Sequence, residues 1–401
     1  MKIVIQKFGG TSVSTHERRE QVVGKILKAK NEGFCPVVVV SAMGRKGQPY
    51  ATDTLLSLIK EDFKVENPLG VDLLISCGEI ISTVVLSDEL LNKGIEAVPL
   101  TGGQAGIITD NNHNNASVLK VKEEKLLNLI NEGKVPVVAG FQGISEDGYI
   151  TTLGRGGSDV TASILGVALD SEAIEIYTDV DGIMTADPGI VSEAFLIEQI
   201  SYNEVFQFAD QGAKVIHPRA VKVAMSGNIP LIVKNTLNNC KGTIITNSAM
   251  GESDKIISGI TSMDNRIQVT VGHNKNNKIY NTLLEEMADN FISIDLINVF
   301  PSKQIFTIDS KDIEKFNEIA RHLSLEYSLI ENCSKIALIG SGMRGIPGVM
   351  ARILKALYKE SIEVLQTADS HTTIWCLVKG SETRKAINAL HKEFLSQGYH
   401  C

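Results

Sequence analysis

The chain opens with the run Ile3-Val4-Ile5-Gln6-Lys7-Phe8-Gly9-Gly10-Thr11-Ser12. The apolar residues read as a first strand, and the two glycines as a turn that ends it. Glycine lets backbone approach a ligand closely and adopt positive φ. Successive amides in such a turn can form an anion-binding nest. Lys7 at its mouth supplies a mobile point charge suited to phosphate. Taken alone, the stretch also fits a solvated surface lysine beside an ordinary turn, so its meaning depends on what surrounds it.

Working outward, Ser14 and Glu17 form a capping box. An apolar stripe at Val22, Val23, Ile26 and Leu27 then predicts a helix. Pro36 precedes Val37-Val38-Val39-Val40, a continuous apolar strand of the buried kind. Strand, helix, strand is the start of a covered, mostly parallel sheet. The second strand ends in another small-residue turn, Ser41-Ala42-Met43-Gly44. Open α/β sheets bind ligands beyond the carboxyl ends of their strands. Lys7 and Ser41 are therefore expected to face one cleft. Residues 45–54 read as a polar loop, and Glu79, just after Gly78, as a residue near a helix start. There it serves either as favourable first-turn charge or as an acceptor for an amine. A third small-residue turn, Thr101 to Gly106, follows a short strand at Ala97 to Leu100. Asn111 to Asn115 reads as an exposed loop and Val135 to Ala139 as a buried strand.

The strongest single feature is Thr151-Thr152-Leu153-Gly154-Arg155-Gly156-Gly157-Ser158-Asp159, running into an apolar helix from Val160 to Leu169. Unpaired amides at a helix start attract carboxylate or phosphate. Arginine can grip a carboxylate through two parallel hydrogen bonds. Asp159 can orient a cationic side chain, or pair with Arg155 on an ordinary surface. Another strand, Ile174 to Tyr177, ends at Thr178-Asp179-Val180-Asp181-Gly182. Beyond it lie Asp187-Pro188, a helix expected over Ile200 to Lys214, and Gly212-Ala213-Lys214-Val215-Ile216-His217-Pro218. A polar stretch from Asn247 to Asp254 marks a domain boundary.

The tail repeats itself. Ile279 aligns with Val349, Leu283 with Ile353, Met287 with Leu357 and Ile292 with Ile362, always 70 residues apart. Each copy continues into further strands, Gln304 to Ile308 and Thr373 to Val378, and then a helix. The pattern is β-α-β-β-α-β, the ferredoxin-like unit, and suggests ligand sensing or oligomerisation. Gly340-Ser341-Gly342-Met343-Arg344-Gly345 satisfies a dinucleotide fingerprint. Pro347-Gly348 lengthens that loop, and the segment is too short for the usual two halves. A glycine loop at the repeat interface is the better reading.

Composition narrows the function. The 401 residues carry a net charge of -8, with 43% hydrophobic and 21% charged residues. That suits a globular α/β protein of two or three domains and argues against a general nucleic-acid binder. No signal peptide and no apolar run of membrane-spanning length are read. The six cysteines are scattered without paired metal spacing, so no structural metal is expected. They suit a reducing, cytoplasmic setting.

Together, the Lys7 to Ser12, Gly154 to Asp159, Thr178 to Gly182, Asp187-Pro188 and Gly212 to Pro218 segments resemble the aspartate kinases. The resemblance runs through the tandem ACT domains and covers essentially the whole chain. Gln366 to Trp375 resembles the diaminopimelate-sensitive isozyme of Gram-positive bacteria. It implies an amino-acid kinase αβα sandwich over residues 1–245, with ACT domains at 257–325 and 332–401. It implies transfer of phosphate from ATP, with Mg²⁺, to the side-chain carboxylate of L-aspartate. This is the first step toward diaminopimelate and lysine, methionine and threonine. Lys7 and Asp159 take the catalytic places. Ser41, Glu79, Arg155, Gly156 and Ser158 take the substrate. Lys7, Gly9, Gly10, Thr178, Asp179 and Lys214 take the nucleotide. An amino-acid effector (diaminopimelate, lysine or threonine) is expected at Asn276, Lys278, Ile279, Asp295 and Asn298, and a homodimer through the ACT domains. No Walker A sequence is present.

Two residues depart from the family's pattern. Gly47 stands where a second hydroxyl is expected, and Gly189 where an arginine usually follows Asp-Pro. Three other readings stay open: a kinase for glutamate, acetylglutamate or uridylate, a regulatory amino-acid-binding protein with an inactive kinase domain, and a structural or dehydrogenase-like protein.

Overall fold

The computed structural model describes residues 1–213, 215–247, 256–272, 278–343 and 346–396, with only the backbone of 278–281. Two compact units emerge. The first comprises Met1–Ile183, Leu196–Ala209 and Lys214–Met250, and the second Met184–Phe195, Asp210–Ala213 and Gly251–Cys401.

In the first unit, β1 (Ile3–Phe8), α1 (His16–Asn31) and β2 (Cys35–Val40) are followed by the short α2 (Thr52–Leu56) and α3 (Glu61–Glu66). The long α4 (Pro68–Leu91), β3 (Ala97–Leu100), β4 (Ile107–Thr109), β5 (Val118–Val121) and α5 (Glu124–Asn131) come next. Then come β6 (Val135–Ala139), β7 (Gln142–Ser145), β8 (Ile150–Thr152), α6 (Gly157–Ala168) and β9 (Ala173–Thr178). The unit closes with β10 (Gln199–Ser201), α7 (Tyr202–Asp210), α8 (Pro218–Gly227), β11 (Leu231–Asn235) and β12 (Thr243–Thr246). Eight of the described strands form one sheet in the order β10-β12-β11-β9-β1-β2-β6-β3. All its pairings are parallel except that of β11 with β12. The carboxyl ends of β1, β2, β6 and β9 therefore share one edge, which brings their glycine-rich turns together. A separate sheet, β5-β4-β7-β8, delivers the chain to Gly154.

The two faces of the large sheet differ. Phe8, Val38, Val40, Val137 and Tyr177 pack with Val22, Val23 and Ile26 of α1 and Leu86 and Leu90 of α4. Phe8 and Tyr177 stack there at 4.8 Å. On the opposite face α6 lies so close to β9 that a Cβ on Gly166 would stand 2.4 Å from Ile174.

Two helix starts differ from the sequence expectation. Thr15, not Ser14, caps α1 and accepts from the Arg18 amide, while Ser14 Oγ donates to the Thr11 carbonyl. Helix α4 starts at Asn67-Pro68, where the Asn67 side chain accepts from the Gly70 amide. An Asn cap followed by Pro at the first position is a strong start signal. It puts Glu79 in the middle of α4 rather than at a helix start. By length and hydropathy α4 is apolar enough to cross a membrane. Yet Asp72 and Glu79, both buried, turn inward with the core, as in the core helix of a globular domain.

The second unit contains β13 (Gly259–Gly272), α9 (Lys278–Asp289), β14 (Asp295–Phe300), β15 (Lys303–Asp309) and α10 (Ile313–His322). It continues with β16 (Tyr327–Ile339), α11 (Val349–Lys359), β17 (Gln366–Asp369), β18 (Thr373–Lys379) and α12 (Thr383–Leu395). Its sheet is antiparallel throughout, in the order β14-β15-β13-β16-β18-β17. The 70-residue repeat is visible in the core. Leu283 and Ile353, Met287 and Leu357, and Ile292 and Ile362 are all buried. Each helix ends at a residue with φ of 57°, Phe291 in one copy and Ser361 in the other. The repeats also share strands. Gly259–Met263 pairs with Lys335–Ile339, while Arg266–Val271 pairs with Tyr327–Cys333. The glycine loop at 340 is tight, since a Cβ on Gly340 would stand 2.4 Å from the Ile256 carbonyl. Arg344 and Gly345 lie outside the described residues.

The strap 184–195 belongs with this second unit. The Ile260 amide donates to Thr185 O at 2.8 Å. Thr185 Oγ1 lies 2.9 Å from Nε2 of buried His391. Arg384 donates to the carbonyls of Gly189 and Ile190 at 2.8 and 3.3 Å.

Candidate active site

One residue before the end of the first strand, Lys7 is aimed at the α6 face, where its Nζ lies 2.7 Å from Asp159 Oδ1. The two side chains are only 12% and 15% exposed. The pair is thus held at the sheet edge yet reachable. Gly9 and Gly10 do not need positive φ; what Gly10 needs is space. A Cβ there would meet the Ala42 carbonyl at 2.4 Å, and the Gly10 carbonyl accepts from the Gly44 amide at 3.0 Å. The first glycine turn is thereby locked to the turn after β2, and the Ser41 amide donates to the Phe8 carbonyl.

Gly154 and Gly156 adopt φ of 74° and 70°, so the Arg155 loop is one of the places where glycine is conformationally required. Gly156 is the residue before α6, and a Cβ on it would collide with the His217 ring at 2.2 Å. His217 caps α8, its Nδ1 accepting from the Arg219 amide at 3.3 Å. Burial first, and then Arg219, holds its pKa below the usual histidine value, against the pull of Asp159. A neutral imidazole therefore lies against the arginine loop. Arg219 Nη1 in turn donates to the Leu153 carbonyl at 2.6 Å. Arg155 itself is exposed, and Ser158 is buried at the start of α6.

Glu79 is 3% exposed, and its Oε1 accepts from the Ala42 amide at 3.1 Å. Its Oε2 has no partner among the described residues. Burial pushes its pKa up to about 8, opposed by the Ala42 hydrogen bond. An orphan buried acceptor of this kind calls for a donor, and a substrate ammonium is one.

On the β9 side, Thr178 O accepts from the amide and hydroxyl of Thr236, whose Oγ1 lies 2.7 Å from Ser12 Oγ. Asp179 pairs with Arg45 at 2.7 Å. Lys214 lies outside the described residues. The Gly47 departure has a local cause. Its φ is 92°, which favours glycine, and its amide donates to Thr54 Oγ1 at 3.1 Å. A hydroxyl does reach this loop, from Thr54. Gly189 lies in the second unit, where Arg384 takes its carbonyl.

Sequence reasoning missed several participants. Arg45 sits in the loop read only as polar. His217 and Arg219 buttress the arginine loop; His-Pro before a helix was their one signal. Asp72 is completely buried and accepts from the Asn114 amide at 3.1 Å, with His113 Nδ1 2.7 Å away. Thr152 donates to the same carboxylate. The segment read as an exposed loop is therefore anchored, and Asn115 Oδ1 lies where a Cβ on Gly154 would meet it at 2.9 Å.

In the second unit, the effector candidates are already bonded. Asp295 pairs with Lys335, which is 3% exposed. Asn298 Oδ1 accepts from Gln366 at 2.6 Å. Lys278 and Ile279 begin α9, but their side chains, and Asn276 altogether, lie outside the described residues.

Comparison with known proteins gives a consistent answer. Residues 2–235 match the amino acid kinase family and residues 328–392 the ACT domain. Aspartokinase 1 of Bacillus subtilis (strain 168) is 44% identical over 400 residues, covering 98% of this chain and 99% of that protein. The aspartokinase of Geobacillus stearothermophilus is 37% identical over 98% of this chain and 97% of its own length. E. coli aspartokinase III, solved with aspartate and ADP, superposes with a TM-score of 0.77 at 24% identity, over 98% of this chain and 100% of that one, which speaks for the fold. The chain therefore belongs to the aspartokinase family, with an amino-acid kinase domain and, toward its end, an ACT domain.

Proposed function

We propose that this chain transfers the γ-phosphoryl group of ATP to the side-chain carboxylate of L-aspartate, giving 4-phospho-L-aspartate and ADP. The observation that carries this reading is the largely buried Lys7–Asp159 pair at the sheet edge, taken with the exposed Arg155 and the orphan acceptor of Glu79. A carboxylate is already a competent nucleophile, so no strong general base is required. One carboxylate oxygen bonds to phosphorus as the bond to the ADP oxygen breaks, and ADP leaves with the electron pair. Catalysis is then positioning plus neutralisation of charge on the transferring group.

Lys7 supplies that charge, and Asp159 holds its ammonium in place. Arg155, with the amides at Gly156 and Ser158, receives the substrate's α-carboxylate. Glu79 receives the α-ammonium, and Ser41 lines the same edge. Gly9 and Gly10 bring backbone amides to the phosphates, with Thr178, Asp179 and Lys214 on the nucleotide side. No cluster of three ligating side chains exists among the described residues. Mg²⁺ brought in with the nucleotide would supply further neutralisation of phosphate charge.

The second unit is assigned feedback inhibition by an amino-acid end product: diaminopimelate, lysine or threonine. A homodimer through the ACT domains accompanies it, with domain limits near 245, 257–325 and 332–401 and the strap 184–195 counted with the regulatory part. The setting is cytoplasmic. The test is an initial-rate ADP-release assay on the full chain with L-aspartate, repeated with each end product added. Aspartate-dependent ADP release lowered by one of them is expected. ADP release with glutamate or acetylglutamate but not aspartate overturns the substrate. Activity indifferent to all three end products overturns the regulatory half.

A further inference from the structure

Side chains alternate across a strand, so each strand of the large sheet serves two faces. Lys7 points toward α6, and Gln6 toward α1. Thr178 and Ile176 share the first face; Glu175 and Tyr177 share the second. On that second face stands a polar cluster that phosphoryl transfer does not use. Gln6 is 1% exposed, and its Nε2 donates to Glu175 Oε2 at 2.9 Å. Tyr177 donates to the same oxygen at 3.0 Å, and Lys234 pairs with the other. Gln6 Oε1 is buried without a partner among the described residues. Its Nε2 is committed to Glu175, so exchanging the amide's two ends does not remove the orphan.

This cluster is part of the lining of a cavity of about 560 Å³ bounded by α1, β1, β9 and β11. Val4, Phe34 and Ile232 give it apolar walls. Five lysines line it against three glutamates. Among the described residues Lys2 and Lys241 make no ion pair, and Lys28 reaches Glu32 only at 3.8 Å. Lys25 Nζ donates to Asn239 Oδ1 at 3.0 Å. Burial and the neighbouring Lys28 and Lys234 disfavour its charge. Crowded, partly desolvated ammonium groups beside apolar walls are relieved by an anion. A buried amide oxygen without a donor is relieved by a hydrogen-bonding ligand. The size is that of a small-molecule site.

We propose that this cavity is a second ligand site, on the face opposite the Lys7–Asp159 pair, for a small amphipathic organic anion. Its anionic group lies among the lysines, its apolar body against Val4, Phe34 and Ile232, and one hydrogen-bond donor against Gln6 Oε1. The site is independent of the aspartate-kinase reading.

The probe is 8-anilinonaphthalene-1-sulfonate, which combines a sulfonate, an aromatic body and one N–H. Titrated into the folded full chain, it is expected to bind saturably at one site and to survive saturating ATP with Mg²⁺. The double variant Lys2→Glu/Lys28→Glu, which touches none of the catalytic residues, is expected to weaken it at least about tenfold through lost charge attraction. Cys240 lines the cavity and is a free thiol, while Cys77 is free and exposed elsewhere. The dye should slow maleimide alkylation of Cys240 severalfold and leave Cys77 unchanged, as read by peptide mass spectrometry. Displacement of the dye by ATP, binding unchanged by the charge reversal, or equal alkylation of Cys240 with and without dye each overturns the proposal.

Discussion

The catalytic edge of the first unit and the joint between the repeats of the second use buried polar groups in opposite ways. In the catalytic unit, polar groups are positioned but left with capacity to spare. Glu79 keeps one buried oxygen without a partner among the described residues, and Arg155 stands exposed between two glycines of positive φ. At the joint between the two repeats of the second unit, the buried polar groups are bonded to one another. Lys335 is buried against Asp295, and Gln268 donates to Gln366, which donates on to the Leu296 carbonyl and to Asn298. The first arrangement costs stability and leaves groups available to a ligand; the second specifies how two repeats join across shared strands. A buried ion pair is weak evidence for stability and better evidence for a fixed arrangement. The contrast teaches where substitution should hurt function and where it should only retune regulation.

The sharpest way to break the comparison is to remove an ammonium from the catalytic unit. Lys7→Met keeps the stem and should leave the chain folded by circular dichroism. It should lower kcat by about 10³-fold, the scale of losing one transition-state charge stabiliser. A variant with near-normal kcat would remove Lys7 from the chemistry.

Glu79 offers a pH test of the orphan oxygen. Its carboxyl titrates near 8 instead of the ordinary 4.5. The folded state therefore holds a proton that the unfolded state has lost between those values. The stability this contributes is full below pH 4.5 and is lost as pH rises through 8. If the ionised form receives the substrate ammonium, KM for aspartate should fall about tenfold per pH unit between pH 6 and 7 and level off above 8. Glu79→Gln should raise KM and flatten both profiles. A wild-type KM independent of pH over that range would show that Glu79 does not meet the substrate charge.

A smaller effect is expected one layer back. Asp72 accepts from the Asn114 amide and from Thr152 and faces His113. Asp72→Asn turns an NH₂ toward at least one of these donors, a cost of about 1–3 kcal/mol for an unsatisfied buried group. Because the anchored loop borders Gly154, KM for aspartate should rise about tenfold if that cost falls on substrate binding. KM for ATP should stay unchanged. A loss of thermal stability with both KM values unaltered would make Asp72 purely structural.

These residues also mark how much was legible in sequence. The glycine turns were, because strand, turn and helix are local patterns and glycine leaves a composition signal. So was the tail repeat, since buried positions recur every 70 residues and carry the same helix-end geometry. What escaped depended on distant partners. Arg45 finds Asp179 134 positions away, and Thr152 finds Asp72 80 positions away. Nothing around 111–115 announces that a buried carboxylate will order it. Glu79 was misplaced along its helix because Gly78 looked like punctuation, while Asn67-Pro68 held the stronger start signal. Gly78 is instead a packing requirement: a Cβ there would stand 2.7 Å from that of Ala42. The strand sharing between repeats escaped for the same reason as the ion pairs, since Gly259 and Ile339 meet only in the folded sheet.

The gentlest test returns to the second unit with the same substitution used in the first. Lys335→Met removes a buried ammonium, keeps most of the stem volume beside Trp375, and frees Asp295. Removing one partner of a buried ion pair costs about 3–5 kcal/mol where the other charge is left stranded in the core, and far less where it keeps its water. Asp295 is 39% exposed, so its freed carboxylate remains solvated rather than stranded. Uninhibited kcat should therefore match the wild type. If an amino-acid effector uses Asp295, its ammonium competes with Lys335 for that carboxylate. Removing the competitor should then lower the half-inhibitory concentration severalfold. Unchanged inhibition with a folded protein would leave the Lys335–Asp295 pair as a joint between repeats and move the effector's ammonium to another acceptor.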